Sequence, residues 1–265
     1  MADPGRRRDL LLGAELALVY VFLYAPILVL VVLSFNASGL PTSWGGFSTK
    51  WYAEFARSGD LLSSLRTSFV IALAVTGVAT VLGTLLALGL ERAVRSTFLD
   101  TVLFLPAVVP DIVLAIGLLS FFTLTRTTLG IQTVVLAHVV FDMVFVAAIV
   151  RTRLGYFDRS IEEAAQDLGA SRLATFFRIT VPIILPGVVA GALIAFTLSF
   201  DEFIIAFFTA GPTVITFPIR VYSMIRFGVT PVVNAVATLI LALSFTLILI
   251  ALRLTRREAR RAIDR

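Results

Sequence analysis

Apolar residues occupy six long blocks of the chain, separated by short polar segments, and this spacing sets the expected architecture. The blocks run from Leu10 to Phe35, Leu62 to Leu90, Leu99 to Leu124, Ile131 to Val150, Ile183 to Phe208 and Val232 to Leu252. Each reaches the ~20 residues that a helix needs to cross the hydrocarbon core of a bilayer. Backbone amides find no water there, so a block of this kind folds as a helix that satisfies them internally. The pattern predicts an all-α membrane protein with six transmembrane helices in one domain, residues 1–265. The first block is too long for the core of a cleaved leader and lacks a small-x-small site, so it should remain as a helix.

The polar segments orient these helices. Arg6, Arg7 and Arg8 precede the first block, which predicts a cytoplasmic N-terminus. Six crossings then return the C-terminus to the same side. Sixteen of the 22 basic residues fall on segments so assigned to the cytoplasm, among them Arg92, Arg95, Arg151, Arg153, Arg159, Arg172, Arg178 and the tail from Arg253 to Arg265. Lys50, Arg57, Arg66, Arg126, Arg220 and Arg226 fall outside. The net charge of +5 is thus a matter of topology, and no basic stripe interleaved with aromatics points to nucleic acid.

One polar segment has an order of its own. Ser160 and Glu163 stand in capping-box spacing, so a helix is expected to start at Ser160. Ala164, Ala165 and Leu168 give it a small apolar patch, and Gly169 permits a left-handed turn. Arg172 to Ile179 read as a second short helix before Pro182 opens the next apolar block. A small-residue helix on a charged loop suits insertion into a groove of another protein. The Glu-Ala-Ala of 163–165, Gly169 and Ile179-x-Val181-Pro182 resemble the signature loop of the membrane subunits of ATP-binding-cassette importers. Val181 stands where that family more often has leucine. The resemblance implies a type I importer permease fold, a coupling loop at about 151–182, and Glu163, Ala164, Ala165 and Gly169 as its contact with an ATPase.

Composition closes off other chemistry. With 58% hydrophobic residues and a mean hydropathy of +0.99, the chain is far more apolar than soluble domains. Cysteine is absent and His138 is the only histidine, so thiolate or histidine-cluster metal sites are excluded. A phosphate-binding P-loop needs a lysine, and the only one, Lys50, has no such pattern around it. The chain is therefore expected to be no enzyme and to hold no cofactor. ATP and magnesium would belong to a separate subunit.

Ionisable residues within the blocks are costly, about 2.5–3.5 kcal/mol each on insertion scales, and tend to line cavities or pair. Asp111 follows Pro106 and Pro110 near mid-depth of the third block, either facing the path or capping the helix that resumes after Pro110. His138 and Asp142 lie four apart, hence on one face; they read as a mutually neutralising pair, with Asp142 facing a cation as the alternative. Asp201 and Glu202 point about 100° apart, so one is expected to face the path and the other to pair. At mid-depth the blocks carry acids and no Lys or Arg, which favours a cationic cargo. Phe200, Phe203 and Tyr222 are candidate ring faces for cation–π contact. Trp44, Trp51 and Tyr52, beyond the first block, read as interfacial anchors or a receptor contact.

Further segments extend the resemblance to the second membrane subunit of spermidine/putrescine importers. These are Ser34-Phe35-Asn36, Phe47 to Tyr52, Pro110 to Val113, Phe196 to Ser199 with the two acids after it, Gly211-Pro212, Tyr222-Ser223-Met224, Gly228 to Pro231 and Asn234 to Thr238. It implies a multi-pass subunit of a bacterial plasma membrane. Its partners would be a second, homologous permease, an ATPase dimer, an extracytoplasmic substrate-binding protein and membrane lipid, with polyamine as cargo. The substrate path would involve Asp111, Asp142, Asp201, Glu202 and Tyr222. Where that family often has a proline near His138, this chain has Asp142-Met143-Val144, which leaves the choice of polyamine open. Two alternatives stand beside it: a permease for another small solute, and an ATP-independent channel or carrier.

Overall fold

A computed structural model describes residues 4–40, 43–92, 96–228, 231–242 and 245–246. Its helices are α1 (Pro4–Ser34), α2 (Lys50–Arg57), α3 (Gly59–Arg92), α4 (Thr97–Val108), α5 (Asp111–Leu124), α6 (Ile131–Gly155), α7 (Ser160–Asp167), α8 (Arg172–Thr175), α9 (Val181–Asp201), α10 (Ile204–Thr209) and α11 (Phe217–Phe227). A π-helical turn, Phe176–Thr180, joins α8 to α9, and α12 (Pro231–Ala242) is a shorter apolar helix. Among the described residues the β-type pairing is a single bridge between Asn36 and Phe47.

Four helical stretches are long and apolar enough to cross a membrane: Leu12–Ser34, Gly59–Arg92, Ile131–Gly155 and Arg172–Asp201. A fifth is made if α4 and α5, bent by 102° at their junction, count as one broken span. The bend corrects the expectation of a single third helix. Pro110 has no amide to continue the ladder, and it forces Val109 into extended backbone (φ −67°, ψ 134°). The fifth block differs at both ends. Arg172 to Thr180 do not stop before Pro182 but run on through the π turn into α9. At its far end the helix breaks at Glu202 before resuming as α10. Of the sixth block, residues 243–244 and 247–252 lie outside the described residues, as do Arg95, Val229, Thr230 and the basic tail Arg253–Arg265.

The chain divides into two compact units, Met1–Leu62 with Val221–Arg265, and Ser63–Arg220. In the first, the segment after α1 is wound around the buried Asn36 side chain. Its Oδ1 accepts from the Ser38 and Gly45 amides at 3.0 and 2.8 Å, and its Nδ2 donates to the Ser43 carbonyl at 2.8 Å. Trp51 Nε1 donates to the Asn36 carbonyl at 2.6 Å, and the Tyr52 hydroxyl lies 2.7 Å from Ser34 Oγ. Trp51 is only 9% exposed. Trp51 and Tyr52 are thus closing pieces of this loop, their polar tips finding backbone and hydroxyl partners. Trp44 does remain exposed.

The second unit is built around α6. Its buried face, including Val134, Val139, Val146, Ala147 and Val150, packs with Ile71, Val75 and Ala79 of α3 and Ile184 and Ala195 of α9. Glycines set the spacing. A Cβ on Gly83 would stand 2.6 Å from the Met143 carbonyl oxygen and 2.7 Å from Val146 Cβ; on Gly191 it would meet Val146 at 3.1 Å. Small residues at helix contacts let backbones approach where lipid supplies no hydrophobic drive. Gly83→Val is therefore expected to destabilise the folded protein by about 1–3 kcal/mol, the usual cost of overpacking. The check is a lowered melting midpoint in detergent; an unchanged midpoint would show that α3 shifts freely.

Candidate functional site

Three of the intramembrane acids stand at the two helix breaks. Asp111 opens α5, whose first amides, Val113 and Leu114, donate to the Pro110 carbonyl. Among the described residues its carboxylate makes no capping hydrogen bond. Glu202 stands in extended backbone at the end of α9. One of its oxygens accepts from the Ile205 amide at 2.9 Å, so the carboxylate is aimed by the first turn of α10. Because α10 packs on both α5 and α6, Glu202 lies within electrostatic reach of Asp111, Asp201 and Asp142. Asp111 on α5, Asp142 on α6 and the neighbouring Asp201 and Glu202 are thus linked electrostatically through Glu202, with Asp201 exposed and Asp142 buried.

The expected pairing of His138 with Asp142 is not made. His138 Nδ1 lies 2.9 Å from Ser199 Oγ on α9. Buried His138 Nε2 and Asp142 Oδ2 have no hydrogen-bond partner among the described residues. The His138 ring leaves α6 toward α9, where the Ser199 hydroxyl takes it. Of the candidate rings, Phe200 stacks with Phe196 and Phe217 at 5.9 and 6.5 Å, and Phe203 lies 5.5 Å from Phe207. Tyr222 sits on α11 in the other unit and is 42% exposed. Among the described residues no group of three or more His, Asp or Glu is placed to hold a metal ion.

The polar loop forms the second candidate surface. Helix α7 starts at Ser160 as its spacing predicts, but not through a capping box. Asp158 Oδ1 instead accepts from the Ser160 amide at 2.9 Å, and this bond holds the Asp158 carboxyl below the ordinary carboxylate range. An acid two residues before the helix reaches that amide more directly than Glu163 reaches back to it. At the other end Gly169 adopts φ +90°. Its amide bonds the Gln166 carbonyl and that of Ala170 the Ala165 carbonyl, a Schellman closure. Glu163 and Ala164 face outward and Ala165 is half-buried.

Glu162, passed over in the sequence, is the anchored residue of α7. Its Oε1 forms an ion pair with Arg92 Nη2 at 2.7 Å and accepts a hydrogen bond from Thr180 Oγ1. Arg159 Nη2 adds a bond to the Glu91 carbonyl at 2.9 Å. Arg151 pairs with Asp100 at 3.0 Å and with Glu91 at 3.9 Å. No local spacing signals these contacts, since Arg92 lies 70 positions from Glu162.

Membrane-length helices, two of them broken beside carboxylates, and an exposed polar helix on the loop between two of them define a membrane translocation subunit. Residues 79–261 match the family described as the inner membrane component of binding-protein-dependent transport systems, and the chain belongs to that family. Its members are membrane components of transport systems, so the chain acts in translocation at the inner membrane rather than as an enzyme. It is similar to the putrescine transport system permease protein PotI of Escherichia coli (strain K12), at 43% identity over 248 residues, covering 90% of this chain and 86% of that one. It is also similar to the spermidine/putrescine transport system permease protein PotC of the same strain, at 38% identity over 242 residues, covering 91% and 92%. Among solved structures it resembles a chain of a bacterial alginate ABC transporter in complex with alginate pentasaccharide-bound periplasmic protein. The TM-score is 0.73 at 17% identity, over 95% of this chain and 96% of that one, a likeness of fold.

Proposed function

We propose that the chain is a permease subunit of an ATP-driven polyamine importer, a single six-span domain with both termini in the cytoplasm. It forms half of a path completed by a second, homologous permease. A dimer of ATPase subunits, which bind ATP and magnesium, docks on the 151–182 loop through Glu163, Ala164, Ala165 and Gly169. An extracytoplasmic binding protein delivers spermidine or putrescine from the other side. Closure of the ATPase dimer moves the loop, and access to the path alternates.

The observation that carries the cargo is the set of acids Asp111, Asp142 and Asp201 in electrostatic reach of Glu202, in apolar blocks that hold no Lys or Arg at mid-depth. A polyamine brings several ammonium groups, and successive carboxylates offer each a counter-charge that the apolar surroundings do not. Tyr222 is a separate candidate residue of the path, for the ring face it offers a cation. The 43% and 38% identity to permeases named for putrescine and spermidine/putrescine supports the same reading. The decisive experiment is ATPase stimulation of the purified importer by its receptor loaded with spermidine, putrescine or a neutral sugar. Stimulation by either polyamine and not by the sugar is expected; stimulation by the sugar alone would overturn the cation reading.

A further inference from the structure

We infer that Glu162, Arg92 and Thr180 form a latch that transmits movement of α7 to the membrane helices. The inference rests on the reading of α7 as the ATPase dock. Adjacent residues on a helix diverge by about 100°, and here the two neighbouring acids take separate tasks: Glu163 points outward, while Glu162 points back into the protein. Only 14% of the Glu162 side chain is exposed. A single oxygen, Oε1, meets Arg92, the last residue of α3, and Thr180, the last residue of the π turn. Three elements are thus joined at one atom.

The elements it joins are the ones that must move together. Thr180 is fully buried and leads directly into α9, which ends at the Glu202 break about 30 Å away at ~1.5 Å per residue. The π turn has a local cause. Pro182 lacks the amide that would bond the Arg178 carbonyl, and the ladder widens there instead. Wide turns of this kind recur at functional positions in helices. Arg92 terminates α3, whose Gly83 lies against α6. A cleft of about 140 Å³ lined by Arg92, Glu162, Gln166, Arg172, Thr175 and Phe176 adjoins the latch. Glu162 is therefore a positioning residue, acting on cargo through helices rather than by contact.

The test uses the complete importer in proteoliposomes, with permease pair, ATPase and receptor. Glu162→Gln is expected to keep the ATPase co-purifying and basal hydrolysis within twofold, while receptor-dependent uptake falls at least fivefold. Arg92→Glu is expected to behave alike, and the exchanged pair Arg92→Glu with Glu162→Arg to recover uptake to within twofold of the starting protein. Thr180→Val is expected to fall between. Undiminished uptake in Glu162→Gln, loss of the ATPase from that variant, or an exchanged pair that assembles but does not recover would each overturn the latch. Failure of the docking reading shows separately, as retention of the ATPase by Glu163→Lys. If Arg92→Glu yields no folded protein, recovery of folding and uptake in the exchanged pair supports the latch, and recovery of folding without uptake counts against it.

Discussion

The double variant Asp201→Asn, Glu202→Gln is expected to lower polyamine uptake by at least tenfold in an importer that still assembles. Glutamine keeps an oxygen where Glu202 accepts from the Ile205 amide, so the first turn of α10 survives and the loss reports charge. A hydrogen bond to a charged group contributes about 1.5–3 kcal/mol. Each 1.4 kcal/mol is a factor of about ten, so removing such contacts from a bound ammonium predicts tenfold or more. The acids are also linked. Asp111 acts on Glu202 and Glu202 on Asp142, and adding Asp142→Asn should cost less than its effect alone, the non-additivity of groups in one network. Radiolabelled putrescine and spermidine uptake into proteoliposomes checks this. Uptake within twofold of the starting protein would remove the acids from the path. The single variants then assign the face: whichever of Asp201→Asn and Glu202→Gln loses more uptake marks the side chain that meets cargo.

Glu163→Lys is expected to abolish coupled transport, with the ATPase dissociating from the permease pair. The residue is exposed on α7 and, among the described residues, its carboxylate is in no ion pair or hydrogen bond. The change should therefore leave the fold intact. At an interface, replacing an attraction by a like-charge contact costs several kcal/mol, enough to weaken docking by two orders of magnitude or more. Co-purification and receptor-stimulated hydrolysis are the measurements. Unchanged values of both would mean that α7 is not the dock. Surface charge pairs usually contribute only about 0–1 kcal/mol, so Glu163→Ala is expected to give a milder defect than the reversal.

Several parts of this protein were legible in the residue order because they depend on local chemistry. Long apolar blocks fold as helices wherever backbone amides lack water, and the structure has helices in all the blocks it describes. The left-handed turn at Gly169 followed from the absence of a Cβ. Pro110 announced trouble in the third block, though not its 102° outcome. The break at Glu202 carried no such announcement: no proline or glycine stands there, and the strand of chain is held open by a carboxylate bonding the next helical turn. Trp51 and Tyr52 have the composition of interfacial anchors; the fold of the 35–52 loop gave their polar tips other partners.

The residue order by itself determined a multi-helix membrane protein, the position of its polar α7 loop and the chemical type of its intramembrane side chains. Hydrophobic transfer, backbone satisfaction and intrinsic charge act within a few residues of each other. Tertiary structure alone decided which acids share a field, that His138 bonds Ser199 rather than Asp142, and that Glu162 rather than Glu163 is tied to Arg92 and Thr180. Those outcomes depend on which side chains helix packing brings near one another, and elements separated by dozens of residues meet only once the chain has folded.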